Sequence, residues 1–217
     1  MSDNKKTGLE SLVAPCHLLI VGATMSGKTF LARKLIDKLR RSDTVVIVIT
    51  GTPISNQYDS IASTMKSGKK SEKMIYSASV MNTVNKDKVF VGAQKIIDYC
   101  TSTKHSKIIV MDDFIGTINL KKNPLGAFTP VARHHNTSMV FISQKLTESV
   151  PVLIRENVHH LFLLAGLSEK SLHSAWEEYC SRICDYERFC LEFDSMPQYN
   201  ALWIDKSKIP TILRIVS

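Results

Sequence analysis

The chain has 217 residues, 44% of them hydrophobic, with 28 Lys and Arg against 20 Asp and Glu, a net charge of +8 and an isoelectric point of about 9.2. That length and apolar share predict one domain over residues 1–217 with a single sizeable core, which excludes a chain too polar to pack. The polar start (Ser2-Asp3-Asn4-Lys5-Lys6), the lack of a long apolar run and five cysteines without a CxxC pair argue against a signal peptide, a membrane span and a disulfide scaffold, while the positive balance favours a polyanionic partner.

Residues 1–14 read as a flexible N-terminus, and the first strand is His17–Val21. After a glycine-containing loop, Phe30–Arg40 has a helix period, with Phe30, Leu31, Leu35 and Leu39 apolar. Thr44–Ile49 is a continuous β-branched run, the pattern of a parallel strand buried on both faces. Gly51-Thr52-Pro53 breaks the chain, residues 56–65 read as a helix, 66–73 as a basic loop and Lys73–Tyr76 as a short strand. A helix follows over Val89–Thr103, then a strand at Lys107–Met111, a loop to Pro124 and a helix over Leu125–His135. Ser138–Ile142 and His159–Leu164 are strands flanking a helical turn at Val150–Glu156. Ser168 caps a helix to Tyr179 with Leu172, Ala175 and Trp176 inward, and Cys184–Phe193 is a further helix. Tyr199–Ile204 and Ile212–Val216 read as an antiparallel terminal pair. Strand and helix alternate over most of the chain, which predicts an α/β fold with a mostly parallel central sheet and helices on both faces.

Three motifs carry chemistry. Gly22-Ala23-Thr24-Met25-Ser26-Gly27-Lys28-Thr29 fills every fixed position of a phosphate-binding loop, between a strand and a helix. Its backbone N–H groups and the helix N-terminus favour an anion, Lys28 reaches the β- and γ-phosphates, and the Thr29 hydroxyl completes a Mg²⁺ shell; Phe30 adjoins the nucleotide. The bland alternative is a tight turn without a ligand. Ile108-Ile109-Val110-Met111-Asp112-Asp113 is an apolar strand ending in two acids at the sheet's carboxyl edge, where α/β folds bind ligands. Asp112 suits Mg²⁺ and Asp113 the polarising of an attacking water; the alternative is a strand capped by two solvated acids. Gln144, after the strand Ser138–Ile142, emerges at the same edge, where an amide touches both the γ-phosphate and the water, or merely caps a turn.

The remaining clusters carry less. Cys180, Cys184 and Cys190 are helically spaced and read as small hydrophobes rather than a zinc site, and the pairs His134-His135 and His159-His160 are weak as ligands. Asn136-Thr137-Ser138 matches a glycosylation sequon that matters only on secretion. The basic groups Lys66, Lys69, Lys70 and Lys73, Lys121 and Lys122, and Lys206, Lys208 and Arg214 are partly clustered.

Together, Gly22–Thr29, Ile108–Asp113, Arg133-His134-His135, Gln144 and the stretch Val150–Asn157 resemble the FtsK–HerA superfamily of P-loop ATPases, and within it the genome-packaging ATPases of poxviruses, other large DNA viruses and virophages. The resemblance covers about Leu18 to Leu164; the C-terminal quarter carries no matching motif. It implies a RecA/FtsK–HerA-like P-loop NTPase fold, ATP and Mg²⁺ as ligands, and a homo-oligomeric ring, pentamer or hexamer, in which a neighbour supplies an arginine to the γ-phosphate. Arg133 is the first candidate and Arg155 the second. It also implies double-stranded DNA as the load, gripped through its backbone by basic pore loops at Lys66, Lys69, Lys70 and Lys73 or at Lys121 and Lys122, and a capsid or portal-vertex partner inside an infected host.

Three functions therefore compete. The first is an ATP-driven DNA translocase that packages a viral genome into a preformed capsid. The second is another motor of the superfamily, for segregation, conjugation or unwinding. The third is a small P-loop kinase or nucleotide switch. The joint presence of Asp113 and Gln144, and the lack of an arginine-rich lid, weigh against the third; no Asn-Lys-x-Asp pattern follows the acids, which favours ATP over GTP.

Overall fold

The computed structural model describes residues 9, 12–51, 58, 73–81, 83, 85, 90–112, 114, 118–148, 150–208 and 212–216. The apolar runs form strands β1 (His17–Val21), β2 (Val45–Thr50), β3 (Lys73–Ser77), β4 (Lys107–Asp112), β5 (Thr137–Ser143), β6 (His160–Leu164), β7 (Ala201–Asp205) and β8 (Ile212–Val216). The helices are α1 (Lys28–Leu39), α2 (Ala78–Met81), α3 (Val91–Ser102), α4 (Pro124–Phe128), α5 (Val152–Asn157), α6 (Glu169–Ala175) and α7 (Tyr186–Asp194). Most expected elements are present within a residue or two. The expected helix over 56–65 and basic loop over 66–72 lie outside the described residues, apart from Tyr58.

One eight-stranded sheet has the order β3-β2-β4-β5-β1-β6-β7-β8. β3, β2, β4, β5, β1 and β6 are parallel; β7 pairs antiparallel with β6 and β8 antiparallel with β7, so the terminal pair is antiparallel as expected. Every residue of β1, β2, β4, β5 and β6 is buried. The period-2 geometry divides them between two cores. Leu18, Ile20, Val46, Val48, Ile108 and Val110 face α1 through Leu31, Leu35, Ile36 and Leu39. Leu19, Val21, Ile47, Ile49, Ile109 and Met111 face the opposite layer, which includes α3, α4, α6 and α7.

Two expected helices are interrupted. Over 125–135, the α-helix ends at Phe128 and continues as a 3-10 segment, Thr129–His135. Pro130 has no N–H to continue the α pattern, and the Thr129 N–H closes a shorter bond to Gly126 O. Over 168–179, the Ser168 hydroxyl caps α6 as expected, accepting from Ser171 N–H at 3.3 Å. The helix then widens to a π turn at Trp176–Cys180, with Ser181 N–H donating to Trp176 O at 2.8 Å.

Buried polar groups gather at the amino edge of the parallel strands. His17 Nδ1 accepts from Met139 N–H at 3.2 Å, and His159 Nδ1 accepts from His17 N–H at 3.0 Å. Both nitrogens accept from backbone, so both rings are neutral. Burial first, then neighbouring His159 and Arg133, lowers the His17 pKa to about 3; burial, then Arg133, lowers that of His159 to about 4. Lys107, buried at the start of β4, donates to Cys100 O at 2.9 Å and Thr103 O at 2.7 Å, closing the C-terminal end of α3.

The depressed histidine pKa values set a pH dependence. An unfolded histidine titrates at about 6.5, so below that pH the unfolded chain binds protons that folded His17 and His159 refuse. Their contribution is complete above about pH 6.5 and is lost as pH falls toward 4. Urea unfolding should show a lower midpoint at pH 5.0 than at pH 7.5, and His159→Gln should shrink that difference; equal midpoints in the parent chain would refute the assignment.

Candidate active site

The phosphate-binding loop joins the end of β1 to α1, and both neighbouring strands hold it. Gly22 N–H donates to Ser143 O at the end of β5, and Ala23 N–H donates to Ala165 O after β6, each at 3.2 Å. Gly22 has to be glycine: a Cβ there would meet Ser26 Oγ at 2.6 Å and Leu164 Cβ at 2.8 Å. Gly27, the N-cap of α1, sits at φ 95, where a side chain strains the backbone. Met25 is also left-handed, at φ 63, and is 91% exposed. These turns aim the loop around the N-terminus of a twelve-residue helix with no acid in its first turn.

Lys28 Nζ donates to the loop's own Ala23 O at 2.5 Å, so the ammonium lies over the loop. Ser26 Oγ is buried and has no hydrogen-bond partner among the described residues, which leaves a donor inside the loop suited to an anion. Thr24, Met25 and Phe30 are exposed around the rim, Thr29 is half-buried, and Lys34 Nζ lies 4.7 Å from the Phe30 ring centre.

Asp112 ends β4 and is 8% exposed. The Tyr58 hydroxyl donates to Asp112 Oδ2 at 2.6 Å. Burial, then the Asp112 charge, raises the Tyr58 pKa, which keeps the phenol a donor. Nothing in the local sequence marks Tyr58, because its partner is 54 positions away. Gln144 follows β5 directly, is exposed, and stands beside Ser143, whose carbonyl holds the loop. Loop, Asp112 and Gln144 therefore share the carboxyl edge of β1, β4 and β5. Asp113 lies outside the described residues. A carboxylate is hard-oxygen chemistry and fits Mg²⁺. Among the described residues there is no cluster of three or more His, Cys, Asp or Glu that could hold another metal.

The two arginines differ. Arg133 is exposed on the 3-10 segment that leads into β5, at the amino edge of the sheet, and its charge acts on Cys16, His17 and His159 there. Arg155 is buried on α5: its Nε donates to Val150 O at 3.1 Å, and its guanidinium pairs with Glu178. Its carbonyl also accepts from Tyr179 Oη at 3.0 Å. Arg155 is thus engaged within its own chain, which the sequence pattern did not reveal. Of the basic loops, Lys121 and Lys122 are exposed in the turn before α4; Lys66, Lys69 and Lys70 lie outside the described residues, and Lys73 opens β3.

Known proteins supply an independent comparison. The family model described as Poxvirus A32 protein matches residues 5–173. No curated protein matches the chain in sequence. Among solved structures, the DNA-packaging ATPase B204 of Sulfolobus turreted icosahedral virus superimposes with a TM-score of 0.66 at 14% identity, covering 93% of this chain and 97% of that one. The genome packaging NTPase B204 of Sulfolobus turreted icosahedral virus 2, in complex with AMP, gives 0.65 at 13% identity, with 93% and 96% covered. EccC of Thermomonospora curvata, ATPases 2 and 3, gives 0.55 at 15% identity, with 93% of this chain on 36% of that one. At these identities the likeness is one of fold, and the fold is that of P-loop ATPases.

The Tyr58–Asp112 contact makes a test available. Tyr58→Phe removes the hydroxyl that orients the carboxylate and should raise the Mg²⁺ concentration giving half-maximal ATP turnover by about tenfold. An unchanged Mg²⁺ requirement would separate Asp112 from the metal. Gly22→Ala should abolish nucleotide binding in a titration, because the loop must shift away from Leu164 to admit the methyl group.

Proposed function

The chain belongs to the Poxvirus A32 protein family, and from that premise we propose that it is an ATPase that packages a viral genome, drawing double-stranded DNA into a preformed capsid. The observation that carries this reading is the division of labour between the two edges of one sheet. Phosphate loop, Asp112 and Gln144 occupy the carboxyl edge, while Arg133 stands exposed at the amino edge. A five-residue strand spans roughly 17 Å, so Arg133 is out of reach of its own subunit's phosphates. It is available to a neighbour's. Pairing unlike edges is a heterologous contact, which closes into a ring when the rotation permits. Exposed Val131, two residues from Arg133, and Met25 and Phe30 at the loop supply apolar surface to both sides of such a contact. Arg155, committed to Val150 and Glu178, is the poorer choice for this role.

Within a subunit, loop amides, Ser26 and Lys28 bind the phosphates, and Thr29 and Asp112 would hold Mg²⁺. The metal supplies neutralisation of the phosphate oxygens. Asp113 accepts the proton of a water aimed at the γ-phosphorus, and the Gln144 amide orients that water and registers whether the γ-phosphate is there. Arg133 of the adjoining subunit stabilises the charge that develops as the phosphoryl group transfers, so turnover depends on the position of the neighbour. Lys121 and Lys122 are the described basic residues assigned to the DNA backbone, with Lys66, Lys69, Lys70 and Lys73 as the second set. The ring is a pentamer or hexamer, and it acts against a capsid or portal-vertex protein in the infected cell.

ATPase assays with and without duplex DNA test this. DNA should stimulate turnover with a steep fall as salt rises. Lys28→Ala should abolish turnover, and Arg133→Ala should lower it by at least about 100-fold while leaving ATP binding intact. Arg133→Ala subunits mixed with parent subunits should depress activity more than in proportion to their share. Proportional dilution, or indifference to any DNA, would overturn the proposal.

A further inference from the structure

The last quarter of the chain lies beyond the residues matched by the family model, yet it returns to the phosphate-binding loop. β7 runs antiparallel to β6 with Ala201 opposite Leu164, so the turn before β7 stands at the carboxyl edge. That turn is Pro197–Asn200, closed by Asn200 N–H donating to Pro197 O at 3.1 Å. Tyr199 holds its third position with φ 65, the conformation for which glycine or asparagine is preferred. An aromatic residue there is strained, and nothing in the core needs its ring, which is 62% exposed. The ring edge nevertheless lies against the loop: Tyr199 Cδ1 is 3.6 Å from where a Cβ on Gly27 would stand. Gly166, at φ 80, brings the segment after β6 equally close, since a Cβ there would meet Ala23 Cβ at 2.6 Å.

The direction of the bound nucleotide follows from the sheet order. Asp112 and Gln144 follow β4 and β5, both on one side of β1. The γ-phosphate and metal therefore belong on that side, and the ribose and base extend toward β6 and β7, where the Tyr199 ring stands. Phe30, a further aromatic ring beside the loop, already has Lys34 over it. We infer that Tyr199 is the stacking platform for the purine base of the nucleotide, and that the turn Pro197–Asn200 completes the site from the C-terminal side. The inference rests on the nucleotide-binding reading above. It gives an exposed, strained tyrosine a ligand whose flat face matches its own.

Titrations of the full chain with ATP and with inorganic tripolyphosphate, which has the phosphates and no base, test it. Tyr199→Gly and Tyr199→Asn suit the turn better than tyrosine, so both should fold and melt at a temperature no lower than the parent chain. Both should bind ATP about tenfold more weakly and tripolyphosphate as before, while Tyr199→Phe should match the parent on both ligands. ATP binding undiminished in the glycine and asparagine variants overturns the inference and leaves the ATPase reading standing. Equal loss of both ligands also overturns it, because the ring would then act on the loop and not on the base. A parent chain that binds neither ligand refutes the ATPase reading, and the inference with it.

Discussion

The phosphate-binding loop is clamped between two strand ends, and most of the molecule's chemistry depends on that clamp. Gly22 N–H on Ser143 O ties the loop to β5, and Ala23 N–H on Ala165 O ties it to β6. The absence of a side chain at Gly22 and Gly166 lets these backbones approach. Because β1 lies between β5 and β6, one pair of backbone bonds fixes the loop relative to Gln144 on one side and to the C-terminal turn on the other. Rigid placement is what electrostatic catalysis requires, since donors that are already oriented need no rearrangement when charge develops. The side-chain positions are secondary to this frame: Asp112 enters it through the β4–β5 register, with Tyr58 holding its carboxylate.

The two edges of the sheet solve opposite electrostatic problems. At the carboxyl edge the loop and α1 present donors and a cation, while the carboxylate of Asp112 comes from another strand and is held by the Tyr58 hydroxyl. At the amino edge His17 and His159 are kept neutral by burial and by accepting backbone N–H groups. Their neutrality has a consequence for Arg133. Charged imidazoles beside it would repel its guanidinium; neutral ones leave it the principal positive charge felt by Cys16, whose thiol burial pushes up to about 12. Arg133 therefore stands exposed at the amino edge beside imidazoles that are neutral.

Much of this was legible in the sequence, and the parts that were not have a common cause. β1 matches its expected bounds, and β2, β4, β5 and β6 fall within one residue of theirs, because β-strands buried on both faces need continuous apolar runs, and such runs have clear ends. The loop was legible because the chemistry of binding a phosphate with backbone fixes both residue type and spacing. By contrast, the helix expected over 125–135 broke at a proline whose missing donor turns the segment to 3-10 geometry, although the apolar period continues through it. The burial of Arg155 depends on Glu178 arriving from a later helix, and Tyr58 meets Asp112 across 54 positions. Local pattern carries no information about such encounters, because they are set by sheet order.

Sheet order also explains why the C-terminal quarter had no readable motif. A base-stacking surface asks only for a flat ring at the right place, and a lone aromatic residue is far commoner as core. What distinguishes Tyr199 is a contradiction between levels: a bulky side chain in a turn position built for glycine, exposed where aromatic rings are usually buried, beside a loop whose glycine leaves room for it. Strain of this kind persists only where the surroundings over-determine it. Here the surroundings are β7, pinned to β6 along five residue pairs from His160–Asp205 to Leu164–Ala201. The antiparallel extension of the sheet thus does more than cover an edge. It carries the chain back to the carboxyl end of β6 at a fixed register, and so holds a side chain from outside the sequence motifs against the phosphate-binding loop.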